Sequence, residues 1–169
     1  MIQTITRQEL KEVLMEPKSV GVKESNFVIQ GEGGQNISII TPGKNGEEFN
    51  KTYGYFHTLP GAEIYSTVYG QGVILMQRND ENNEAKEVKV ASLRPGVTVE
   101  VPAGYGHCLV NIGKTYLVVI DNSQTGSRTR NAESIKEKRG FAYYVVDKKG
   151  EVGFEPNRNY RLHPQIATY

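Results

Sequence analysis

His57 stands six residues before Glu63 in the stretch GYFHTLPGAEIYSTVYGQG, and both side chains are of types that bind metals or move protons. Alternate residues of a strand share a face, so Tyr55 and His57 are expected to point the same way, as are Glu63 and Tyr65 on the next strand. That hairpin would present an imidazole and a carboxylate to one interior. A second segment, PAGYGHCLVNIG from Pro102 to Gly113, leads through a proline and two glycines to His107 at the start of another strand, with Asn111 four residues on. Two imidazoles and a carboxylate suit a divalent transition metal with positions left open for substrate. Any one of the three histidines taken alone is more often a hydrogen-bonded structural residue than a ligand, and it is their order and spacing that favour a metal site. Tyr55 is the odd member, because a phenol with a pKa of about 10 binds divalent ions poorly near neutral pH.

Short strands must position these groups. Runs rich in β-branched and aromatic residues recur between Gly, Pro and Asn turns: NFVIQ, NISIIT, EFNKTYGYFHT, AEIYSTVY, GVILMQR, EVKVASL, TVEVP, HCLVNIG, TYLVVID and GFAYYVV. This pattern describes an all-β sandwich or small barrel of the jelly-roll kind. Thr6 before RQELKEVLM, with Leu10, Val13 and Leu14 at helical spacing and Glu9 at the third helical position, predicts a short peripheral helix with a capping box. NAESIKEKR, residues 131–139, predicts a second brief helix. Arg78 to Glu87 reads as an exposed hairpin loop, and the tail EPNRNYRLHPQIATY as irregular chain with a structural His163. Cys108, beside His107, is expected to point away from the interior and to pack.

The 169 residues suit one domain, with a barrel core over about 26–146 and the N-terminal helix and C-terminal tail packed on it. Twenty basic and 19 acidic residues mix along the chain without a basic stripe, which argues against nucleic acid and membrane as partners and for small molecules. A single cysteine excludes an intramolecular disulfide framework and points to a reducing compartment. The N-terminus has charges among its apolar positions, unlike a signal peptide or anchor, so the expected location is cytoplasmic.

The two site segments resemble the paired signatures of the cupin superfamily, G(x)5HxH(x)3–4E(x)6G and G(x)5PxGxxHxxxN. The first is carried by Tyr55, His57, Glu63 and Gly70, with a longer gap before the glutamate, and the second by Gly96, Pro102, Gly104, His107 and Asn111. Within that superfamily the chain resembles the cupin-type glucose-6-phosphate isomerases over roughly Ser38 to His163. TPGKNGEEFNKTYGYFH is similar to that family's TPGKxGxEFxKTxGHFH, AEIYSTVYGQGVILMQ to its AExYxxLxGxGxxLLQ, and VPAGYGHCLVNIG to its VPPxxxHxxxNxG.

The resemblance implies a double-stranded β-helix that interconverts glucose 6-phosphate and fructose 6-phosphate, works as a homodimer, and holds Fe, Ni, Mn or Zn on three histidines and a glutamate. Carried over, the metal positions are Tyr55, His57, Glu63 and His107, the first of which is changed. The phosphate contacts fall on Ser38, Thr52 and Gly54, and the family's tyrosine beyond the glutamate is Tyr65. Glu63 is then ligand, base or both. The family's aromatic after the last inner strand is Asp121 here, and its His-Asp-Tyr group is Arg130-Asn131-Ala132; Arg128 or Arg130 is an alternative phosphate ligand. Two further readings compete with a metal-dependent isomerase. One is a non-catalytic sugar-phosphate-binding cupin, with Tyr55 packing as an ordinary aromatic. The other is a different metal-dependent activity, such as oxygen chemistry.

Overall fold

The computed structural model describes residues 1–123 and 130–169. The first half of the chain forms β1 (Ile2–Thr6), helix α1 (Arg7–Leu10), β2 (Glu24–Gln30), β3 (Asn36–Ile40), β4 (Lys44–Asn45), β5 (Glu48–Phe49), β6 (Tyr55–His57) and β7 (Glu63–Tyr69). There follow β8 (Gly72–Asn79), β9 (Ala85–Leu93), β10 (Thr98–Val101), β11 (Gly106–Asn111), β12 (Leu117–Asp121) and β13 (Arg130–Asn131). Helix α2 (Glu133–Glu137), β14 (Tyr143–Lys148), β15 (Glu151–Pro156) and β16 (Ile166–Thr168) complete it. The all-β expectation holds, with two six-stranded sheets in the orders β1-β2-β3-β12-β7-β10 and β13-β6-β11-β8-β9-β16. A smaller sheet, β15-β14-β5-β4, lies beside them.

Alternation of side chains explains how the two large sheets meet. Ile40, Val99, Leu117 and Val119 from the first pack with Ile74, Met76, Ala91 and Leu109 from the second in one buried cluster. The intervening residues of β8 and β11, Val73, Leu75, Cys108 and Val110, belong to a second cluster with Leu10, Val13, Ile135, Phe141 and Val145. β8 and β11 are therefore covered on both faces. Cys108 points away from the interior, as alternation requires, yet it is 2% exposed because this outer layer lies over it.

The N-terminal segment is held by burial, since a helix of four residues has no stability of its own. Leu10, Val13 and Leu14 are almost fully buried, each worth about 1.5–3 kcal/mol relative to exposure. The Thr6–Glu9 capping box closes the helix start, and the chain turns 3-10 at Lys11–Val13. Beneath it Lys51 Nζ lies 2.5 Å from Glu48 Oε1 and donates to the Val13 carbonyl at 2.8 Å, while Met15 N donates to Glu48 Oε2 at 2.8 Å.

Several expectations are corrected. EFNKTYGYFHT is two strands rather than one: β5 pairs with β4 and β14 in the small sheet, β6 pairs with β11 in a large one, and Gly54 takes φ +87° just before β6. The hairpin loop is shorter than 78–87: β8 runs to Asn79 and β9 begins at Ala85, and Glu84 is buried against the tail. The tail begins with the last two residues of β15 and ends in β16, which pairs in parallel with β9. β1 precedes the expected helix and edges the first sheet, so the large sheets extend beyond residues 26–146. His163 Nε2 lies 2.8 Å from the Asn157 carbonyl and its ring meets Tyr143 edge-on, the structural role expected of it.

Candidate active site

Strand register gathers the site from both sheets. His107 of β11 is paired with Tyr55 of β6, and Tyr65 of β7 is paired with Asp121 of β12 in the facing sheet. Inward alternation on β7 gives Glu63 and Tyr65, and on β6 Tyr55 and His57. Two glycines let β6 and β11 approach: a Cβ on Gly54 would stand 2.5 Å from the Phe141 ring, and one on Gly106 2.8 Å from the Phe56 ring. All five expected chemical groups, Tyr55, His57, Glu63, Tyr65 and His107, come together at this point.

Glu63 lies between the two imidazoles. His57 Nε2 is 3.2 Å from Oε1, and His107 Nε2 is 3.4 Å from Oε2. The Tyr65 hydroxyl donates to Glu63 Oε2 at 2.7 Å, lies 2.5 Å from His107 Nε2, and is 3.2 Å from the Tyr55 hydroxyl. Both phenol rings meet the His107 ring edge-on, with centroids 4.9 Å away for Tyr55 and 4.8 Å for Tyr65. Burial, ahead of the neighbouring Tyr55, Glu63 and Asp121 groups, pushes the Tyr65 phenol well above its ordinary range, so it keeps its proton.

The fit of these residues to a metal ion was an expectation of the sequence. His57 fits, because its two ring nitrogens are buried and make no hydrogen bond within the described residues. His107 does not, because its Nε2 is engaged by the Tyr65 hydroxyl. Among the described residues no group of three or more His, Cys, Asp or Glu is arranged to hold a metal. The donor set present here is a hydrogen-bonded cluster and does not fit a transition metal.

A cavity of about 370 Å³ opens over this cluster, within the range of small-molecule sites. Tyr55, Tyr65 and His107 form one wall, and Ser38, Thr52 and Gly54, the expected phosphate contacts, also line it. The Thr52 hydroxyl accepts from Leu109 N at 3.0 Å, which leaves its proton to point elsewhere. Asn111, in contrast, is a turn residue: it donates to the Ile40 and Thr115 carbonyls, each at 2.9 Å, and accepts from Gly113 N. Arg128 lies outside the described residues; the backbone of Arg130 pairs with His57 in β13.

Asp121, named from the sequence as the replacement of the family's aromatic, is 5% exposed, lines the cavity and accepts from Asn36 Nδ2 at 3.0 Å and Ser123 N at 2.9 Å. It follows Leu117 and Val119 on the inward face of LVVID. The sequence reading missed two other kinds of lining residue. Asn26, likewise buried, comes from β2. Gln3, Ile5 and Glu9 come from the N-terminal segment, which is thus part of the cavity wall as well as the periphery.

The chain matches the family described as glucose-6-phosphate isomerase (GPI) over residues 15–163. Glucose-6-phosphate isomerase of Pyrococcus furiosus is 32% identical to it over 133 residues, 77% of this chain and 67% of that protein. The enzyme of the same name from Thermococcus kodakarensis is 34% identical over an alignment of equal coverage. The match therefore spans about two thirds of the length of those relatives. Among solved structures, the cupin domain of Drosophila melanogaster CENP-C resembles it with a TM-score of 0.43 and 10% identity, covering 62% of this chain and 74% of that one.

Proposed function

Since the chain belongs to the glucose-6-phosphate isomerase family, we propose that it interconverts glucose 6-phosphate and fructose 6-phosphate in the cavity lined by Tyr55, Tyr65 and His107, next to Glu63. The observation that carries this reading is the Glu63 carboxylate, set between two imidazoles and hydrogen-bonded to Tyr65, which with Tyr55 and His107 lines a cavity of sugar-phosphate size. Aldose–ketose exchange requires a proton to leave C2 and arrive at C1, with an enediol between. A carboxylate base fixed by neighbours serves both transfers on one face of the substrate.

Each residue has a defined part. Glu63 takes the C2 proton on Oε1, the oxygen on the His57 side, and returns it to C1. Tyr65 fixes Oε2 through its 2.7 Å hydrogen bond and so sets the direction of the carboxylate. Tyr55, Tyr65 and His107 form the wall that faces the reacting end of the sugar, where a proton leaves O2 and one arrives at O1. Ser38, Thr52 and Gly54 receive the phosphate through hydroxyl and backbone N–H donors. The working protein is a cytoplasmic homodimer in this reading. Among the described residues no helix is long and apolar enough to cross a membrane.

A second reading, a non-catalytic sugar-phosphate binder, is favoured by the Tyr65 hydroxyl on Glu63 Oε2, which occupies part of the base. A coupled assay on fructose 6-phosphate separates the two. Turnover that falls about 10²–10⁴-fold in Glu63→Gln supports the isomerase. A silent wild-type protein, with or without added Fe, Ni, Mn or Zn, overturns it, and thermal stabilisation by sugar phosphates in that silent protein establishes the binder.

A further inference from the structure

We propose that the Tyr65 hydroxyl holds the place that a transition metal would take between His107 and Glu63, so that this chain assembles a proton-bearing cluster there instead of a metal centre. The inference concerns what the site itself binds and stands independently of the isomerase reading.

Distances come first. An ion on an imidazole nitrogen sits about 2.0–2.1 Å from it, and on a carboxylate oxygen about 2.0–2.2 Å. The Tyr65 oxygen is 2.5 Å from His107 Nε2 and 2.7 Å from Glu63 Oε2, hydrogen-bond lengths to the atoms by which an ion would join His107 to the near oxygen of Glu63. Oxygen and ion cannot share that point.

Proton counting gives the same answer. A phenol carries one proton and can accept as well as donate. Tyr65 donates to Glu63 Oε2, since a carboxylate only accepts. Its contact with His107 Nε2 must then be one it accepts, which places a proton on that nitrogen and removes the lone pair a metal needs. The Tyr55 hydroxyl, 3.2 Å away, has its own proton to give to the same oxygen. Tyr65 thus uses one donor and two acceptor positions, all within the cluster. An imidazole at position 55 could offer a lone pair, whereas a phenol offers a proton, and a proton is what this arrangement uses.

The test uses the full chain, stripped with EDTA, incubated with Zn²⁺ or Ni²⁺, passed through a desalting column and assayed for metal by mass spectrometry. Folding is followed by circular dichroism. The wild type is expected to retain less than about 0.1 equivalent, while the folded Tyr55→His/Tyr65→Phe variant, which restores a lone pair and removes the hydroxyl, retains about one. Metal near one equivalent in the wild type overturns the proposal, as does a folded double variant that stays empty. Should that variant not fold, nitrogen-15 correlation spectra of the wild-type imidazoles decide. His107 protonated at Nε2 and unmoved by added Zn²⁺ supports the cluster, and Nδ1-protonated His107 or a Zn²⁺-dependent shift refutes it. Isomerase turnover, measured separately on the stripped protein, reports on the proposed function and on nothing in this inference.

Discussion

Glu63 and Tyr65, two residues apart on the inner face of β7, are joined by a 2.7 Å hydrogen bond that ties the carboxylate to a residue of the cavity wall. Such a pair fixes the carboxylate through its own strand, without help from a loop. Replacement of Glu63 by Gln keeps the shape and removes the proposed base. The expected result is a fall of about 10²–10⁴-fold in kcat with KM for fructose 6-phosphate nearly unchanged. A parallel loss in both the rate and the thermal midpoint would mean that Glu63 supports the fold instead.

The two phenols should differ in what they contribute. Tyr65 is 2% exposed and makes three polar contacts, so Tyr65→Phe strips partners from both Glu63 and His107. Leaving buried polar groups unsatisfied costs about 1–3 kcal/mol each. Tyr55→Phe removes the 3.2 Å contact with the Tyr65 hydroxyl and keeps the edge-on packing against His107, and that loss should cost about 0.5–1.5 kcal/mol. Urea unfolding of the two variants checks the order. Equal costs would show that Tyr65 is not the centre of the cluster.

The site was legible in the sequence to the extent that strand alternation governs it. Tyr55 with His57 and Glu63 with Tyr65 share faces as a period of two demands, and His107 follows a proline and glycines that bring β11 in at the right place. Alternation gives a face but no neighbour across sheets. That is why the Tyr65 hydroxyl at His107 Nε2 could not be foreseen, nor Asn26, which reaches the cavity from β2. The tail failed for a different reason. β16 is a three-residue strand that pairs in parallel with β9, a long-range contact with no periodic trace of its own. Glu84 sat in a polar run that reads as solvated loop, and only the arrival of Lys138 and the Arg161 backbone turns it into an anchor.

That anchor makes a pH prediction. Glu84 Oε1 lies 2.7 Å from Lys138 Nζ, and Oε2 accepts from Arg161 N at 2.8 Å. The Lys138 hydrogen bond, chiefly, holds the carboxyl down at about 2, from an ordinary 4.5. A carboxyl depressed in the folded state adds stability that is fully present above its unfolded pKa and is lost as pH falls through the folded value. The stability difference between wild type and Glu84→Gln should therefore be constant above about pH 5 and shrink between there and about pH 2. Urea midpoints at stepped pH test this, and a difference that ignores pH would remove Glu84 from the account.

Gly54 offers the sharpest link between backbone and site. Its φ of +87° already disfavours any side chain, and an added Cβ would meet Phe141 Cε2 at 2.5 Å and the His107 carbonyl at 3.1 Å. Phe141 is 2% exposed within the outer core and has no room to retreat, so the strain falls on the β6–β11 approach that pairs Tyr55 with His107. Gly104 provides the control. It has a similar φ of +84° with nothing within 4 Å of a Cβ, so its alanine variant carries the backbone strain alone. Gly104→Ala should cost about 1 kcal/mol with the isomerase rate kept, and Gly54→Ala about 2–4 kcal/mol with the rate lost. Denaturant unfolding and the fructose 6-phosphate assay on the pair measure both quantities. If the two alanine variants behave alike, the close approach at Gly54 does not position His107, and the site geometry must be set by the sheets alone.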